Sequence, residues 1–86
     1  MIKLNTVETI LDQAIKANVK EFRESKKEYY YWNAKVNECE RGSKDYLKYT
    51  IFADQHFYEY MTIKHTLIRL FPDYEEKIID GLYGNS

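Results

Sequence analysis

No glycine or proline occurs before Gly42 in this 86-residue chain, and Pro72 is the sole proline. These two residues are the usual helix breakers, one through its backbone freedom and the other through its missing N–H. So long a stretch without either leaves room for one long helix. The apolar pattern agrees. Leu11, Ile15, Asn18, Phe22, Ser25, Tyr29, Trp32, Val36 and Cys39 follow alternating steps of four and three, which keeps one side of a helix turned toward a partner helix. Asn18 and Ser25 interrupt that seam as register-setting polar residues do, and Asn18 equally allows a local kink. Asn5, with Glu8 three residues on, has capping-box spacing. The first helix is expected over about 6–41.

Arg41-Gly42-Ser43 then supplies a C-cap glycine and an N-cap serine, and the second helix is expected over 44–71, stopped by Pro72. Its apolar residues form two adjacent seams. Tyr46, Tyr49, Ala53, His56, Tyr60, Ile63, Leu67 and Leu70 make one; Leu47, Ile51, Tyr58, Met61, His65 and Ile68 make the other. Only Lys48, Gln55, Glu59, Thr62, Thr66 and Arg69 collect on a polar face, and a helix this apolar is covered on most sides. Asp73 and Glu76 form another capping-box pair opening a short third helix to about residue 82, with Tyr74, Ile78 and Leu82 on one side. Gly81 and Gly84 read as stops, with a frayed tail from Tyr83. The expected fold is all-α: one domain, a long antiparallel helical hairpin plus a short C-terminal helix.

A hairpin and one short helix cannot cover both seams of the second helix. Large uncovered apolar patches are uncommon on monomers, so the pattern predicts a homodimer, two hairpins pairing into a four-helix-like bundle. Tyr29-Tyr30-Tyr31-Trp32 sharpens the point. Successive residues point about 100° apart on a helix, so four consecutive rings surround it. Tyr29 and Trp32 belong to the seam, whereas Tyr30 and Tyr31 project elsewhere as interaction candidates. With them, Tyr46, Tyr49, Phe57, Tyr58 and Tyr60 are the candidate protein-interface residues.

Lys16, Lys20, Arg23 and Lys27 share a stripe opposite the seam that could follow a phosphate backbone. The plainer reading is a solvated face with intrahelical pairing, because Asp12 stands four before Lys16 and Glu24 flanks Lys20 and Lys27. The balance of 13 basic and 14 acidic residues, net −1, provides no global field toward nucleic acid or anionic lipid. His56 and His65, nine residues apart, have no metal-binding spacing. Both lie in apolar seams, so they are expected to be buried or at an interface, where pairing across a dimer would make association pH-sensitive. Glu21 and Glu24, with Asp73 and Glu76, have the i, i+3 spacing of magnesium-dependent all-α nucleotide pyrophosphatases. The first pair lies off the seam and the second is explained by capping, so this is a remote reading. Cys39 has no activating partner in sequence, and no glycine-rich phosphate loop is present.

The lone cysteine fits a reducing cytoplasm. Residues 1–5 lack a signal-peptide layout, and no apolar run approaches the roughly 20 residues of a membrane span. Ten Lys to three Arg, with plentiful Ile, Asn and Tyr, is usage typical of AT-rich genomes, including phages and mobile elements of low-GC bacteria. The expectation is a cytoplasmic, non-catalytic protein-binding module without cofactor or metal, an inhibitor or adaptor of a larger protein or ribonucleoprotein. The alternative is a nucleic-acid-binding accessory protein using the basic stripe.

Overall fold

The computed structural model describes residues 6–84, and Asn5 with its capping box lies outside them. The uninterrupted sequence forms one helix, α1 (Thr6–Glu38), of 33 residues, about 50 Å long at 1.5 Å per residue. It is continuous through Asn18, whose Nδ2 donates to the Ala14 carbonyl at 2.8 Å. It ends three residues before the expected boundary. There the Cys39 N–H turns to the Val36 carbonyl at 3.0 Å, and the Cys39 thiol lies 3.2 Å from the Lys35 carbonyl. Gly42 is therefore not the helix cap. It is the third residue of a Glu40–Ser43 turn closed by a 3.1 Å bond from Ser43 N–H to Glu40 carbonyl, with φ +85°, as a type II turn requires.

Ser43 caps α2 (Lys44–Leu70), its Oγ accepting the Tyr46 N–H at 3.1 Å. Beyond α2, Pro72–Tyr74 forms a 3₁₀ turn, and α3 (Glu75–Tyr83) follows. The Asp73–Glu76 capping box does not form, since α3 begins without a side-chain cap. The fixed φ of Pro72 starts the turn one residue early, which leaves Asp73 inside it. Glu75 and Glu76 still occupy the first turn of α3, where negative charge suits the helix dipole.

The hairpin packs along the expected seam. Leu11, Ile15, Phe22 and Ser25 of α1 are buried, and the seam's remaining members are half-buried. Leu11, Ile15 and Phe22 meet Tyr60 and Leu67 of α2 and Ile78 and Leu82 of α3 in one core, with Tyr29 packed against it. Fully buried Phe22 stands at its centre, with Tyr60 edge-on at 5.4 Å and Tyr83 edge-on at 5.0 Å. The first α2 seam is covered except at Leu70. In the second, Met61 and Ile68 pack against the core, while Leu47, Ile51, Tyr58 and His65 are exposed. His65 is thus not buried within the chain. No helix among the described residues is long and apolar enough to cross a membrane.

Gly81 is an interior residue of α3 rather than a stop. A Cβ there would lie 2.6 Å from Ile15 Cγ2 and 3.1 Å from Ile15 Cδ1, so glycine is what lets α3 approach α1. The stop is Gly84, whose N–H closes on the Asp80 carbonyl at 2.8 Å. An ion pair between Lys77 Nζ and Asp12 Oδ1 at 3.1 Å ties the edge. Both partners are substantially exposed, so it contributes at most about 1 kcal/mol.

Replacing Gly81 with Ala improves helix propensity by about 1 kcal/mol but forces an overlap costing about 1–3 kcal/mol. Because the β-branched Ile15 cannot swing its Cγ2 freely, we expect net destabilisation on the order of 1 kcal/mol, a thermal shift of several degrees. In an Ile15→Ala background, Gly81→Ala should become neutral or stabilising. Thermal melts of the four proteins by circular dichroism check this coupling.

Candidate functional site

Where α3 ends, the hairpin carries rings instead of a third helix. Tyr29 lies in the α1 seam, and Tyr30, one residue on, points outward. Their centroids are 5.4 Å apart; Tyr29 meets Phe57 of α2 at 5.4 Å, and Phe57 meets Tyr58 at 5.9 Å. The four rings form a row across the hairpin, with Tyr30 57% exposed at one end and Tyr58 67% exposed at the other. Tyr60 lies against the row, 5.9 Å from Tyr29 and 5.4 Å from Phe57. A second cluster forms nearer the turn, where Trp32 stacks on Tyr49 at 5.5 Å and meets Phe52 at 4.9 Å. Tyr31 leans edge-on against Trp32 at 4.9 Å.

Of the seven candidate interface residues, Tyr30, Tyr31 and Tyr58 are exposed, while Tyr46, Tyr49 and Phe57 are half-buried. Tyr60 is only 6% exposed and belongs to the core. Its seam also carries Ala53 and Leu67, which face α1, so its ring is packed inside the chain.

The basic stripe is on the surface. Lys16, Lys20, Arg23 and Lys27 are all exposed, and among the described residues none has a carboxylate within 4.0 Å. The intrahelical pairing expected of Asp12 and Lys16 is not made, because Asp12 reaches across to Lys77 on α3. Arg23 and Lys27 join Lys26, Tyr30, Leu82 and Tyr83 around an open cleft of about 350 Å³. Lys26 Nζ lies 4.4 Å from the Tyr83 ring centroid and 5.9 Å from that of Tyr30, and Lys64 Nζ of α2 lies 5.5 Å from that of Tyr83. The Arg23 Nε–H points at the Leu82 carbonyl at 3.4 Å, a long bond that holds the guanidinium only loosely.

Lys26 and Tyr83 escaped the sequence reading. Lys26 lies off the stripe, yet it stands four residues after Phe22 and four before Tyr30, which places it between them on the helix. Tyr83 reads as tail in the sequence, although its position four after Ile79 continues the helical pattern.

His56 Nδ1 lies 2.8 Å from Glu59 Oε1, and the same oxygen accepts from Ser25 Oγ at 3.4 Å. Among the described residues no group of three or more His, Cys, Asp or Glu could hold a metal ion, and Glu21, Glu24, Asp73 and Glu76 are each exposed. Comparison with protein families, curated proteins and solved structures returns no match to this chain.

Burial pushes the Tyr60 hydroxyl above the ordinary tyrosine value near 10, and charge on Tyr30, Tyr29 and Tyr83 adds to the rise. The folded protein therefore resists an ionisation that the unfolded chain permits. Tyr60's contribution to stability is intact below about pH 10 and is lost as pH rises through the folded value. The melting temperature should fall above pH 10, and less steeply in Tyr60→Phe. An equally steep fall in the variant would contradict this assignment.

Proposed function

We propose that this chain is a non-catalytic binding module that seats a protein partner on the row Tyr30–Tyr29–Phe57–Tyr58. The observation that carries the reading is the row itself, exposed at both ends and fixed from within by Tyr60. Tyrosine supplies large contact area with few rotatable bonds. Rings already held by neighbours lose little freedom on binding. The elongated molecule, 61 × 23 × 17 Å, exposes 6534 Å², against roughly 5400 Å² for a compact monomer of its mass. An inhibitor or adaptor seated on a larger assembly, encoded by a phage or mobile element, is the concrete form of the proposal.

A homodimer is the second reading, favoured by Leu47, Ile51 and Tyr58, all exposed and within about 40° of one another on the outer side of α2. Light scattering at micromolar concentration separates the two. A mass of 10.4 kDa leaves the face to a foreign partner, and twice that mass assigns it to a second copy.

Affinity capture from the cells of origin tests the main reading. Tyr30→Ala and Tyr58→Ala should each weaken partner retention by about 1–2 kcal/mol, roughly five- to thirtyfold, with the helical circular-dichroism signal unchanged. A partner held equally well by both variants would overturn it.

A further inference from the structure

We propose that the cleft between α1 and the end of α3 is a carboxylate-recognition site that takes a short acidic peptide segment with apolar neighbours. This rests on the protein-binding reading and names the chemistry of the partner.

Arg23, Lys26 and Lys27 bring three cations to one small opening, and Lys64 approaches from α2 across Tyr83. Arg23 stands i, i+3 to Lys26 and i, i+4 to Lys27, spacings at which like charges repel. Among the described residues no carboxylate lies within 4.0 Å of any of these four, so an incoming anion relieves a repulsion that the chain leaves standing. The Lys26 and Lys64 ammonium groups rest near the Tyr83 ring, which holds them beside the opening by cation–π attraction. Arg23 adds a planar fork suited to a carboxylate. Leu82, Tyr30 and Tyr83 give the walls apolar surface, and about 350 Å³ admits a few side chains and no folded element. Tyr30 is shared between cleft and aromatic row, so a segment lying on the row runs directly into the cations.

Charge placement on α1 separates a peptide from a nucleic acid. At about 100° per residue, Lys16, Lys20, Arg23 and Lys27 fall within a stripe about 60° wide with Lys26 beside it, and Glu21, Glu24 and Glu28 occupy the adjoining side, Glu24 nearest to Lys20 and Lys27. The basic zone is short, about 17 Å from Lys16 to Lys27 at 1.5 Å per residue. On its own flank it is bounded by Glu8 before it and Glu38 after it, Asp12 being paired with Lys77. A phosphate backbone continuing along the helix would meet those carboxylates, whereas a segment carrying a few acidic side chains ends before them.

The test is a ¹⁵N–¹H correlation titration of the full chain with three probes: a blocked octapeptide alternating Glu and Leu, the same peptide with Gln in place of Glu, and a twelve-nucleotide oligothymidylate. The acidic peptide should shift amides of residues 23–30 and 81–84, more weakly as salt rises. Binding should fall at least fivefold in a Lys26→Gln/Lys27→Gln protein and stay unchanged in Lys44→Gln, with helical content retained in both. The proposal is overturned by no shift at those amides, by equal shifts with the Gln peptide, or by tighter binding of the oligonucleotide. The last outcome assigns the basic zone to nucleic acid. Failure here with partner capture still dependent on Tyr58 refutes the cleft alone. Cleft binding that persists when capture ignores Tyr58 refutes the aromatic row alone.

Discussion

Phe22 is the point at which all three helices meet. Its ring is fully buried, with Tyr60 of α2 on one edge and Tyr83 of α3 on another. Edge-to-face pairs of this kind contribute about 0.5–1.5 kcal/mol each beyond the area they bury. Against the roughly 4–13 kcal/mol typical of a domain this size, that is a substantial share. The contact also fixes where α3 must lie. Gly81 against Ile15 sets how closely it approaches, and Tyr83 against Phe22 sets how far along the hairpin it reaches.

The exposed aromatic face follows from that reach. α3 supplies a third layer over one part of the hairpin and ends at Tyr83. Past that point α1 and α2 still carry the rings that a third layer would have covered. Tyr29 and Phe57 are half-buried between the helices, and Tyr30 and Tyr58 are left outside. The cations collect at the same boundary, because Lys26 is held by both Tyr83 and Tyr30. A rigid apolar row with a cationic end has the character of a recognition surface, the rings providing area and the charges orientation.

The periodicity of α1 was legible in the sequence because one side of a long helix has one partner; none of its nine seam positions is exposed. The all-α hairpin and the Ser43 cap were legible for equally local reasons. What was not legible depended on the third helix. Gly81 looks like a stop until Ile15 is seen against it. Tyr83 looks like a tail until Phe22 is seen beneath it. Asp12 looks like the partner of Lys16, four residues along, until Lys77 arrives from the other end of the chain. Capping patterns at Asp73 misled because Pro72 begins a turn of its own. Splitting the aromatic run into two inward and two outward rings could be done from helical geometry alone. Joining Tyr30 to Arg23, Lys26 and Lys27 in one cleft could not, since Leu82 and Tyr83 form its far wall.

Hydroxyl-radical footprinting of the tyrosines, in the free chain and in the complex with its captured partner, addresses the central claim most directly. The account predicts strong labelling of Tyr30 and Tyr58 in the free chain at low concentration, their protection in the complex, and a silent Tyr60 in both. Tyr30 and Tyr58 already shielded in the dilute free chain, or equally labelled in the complex, would contradict it.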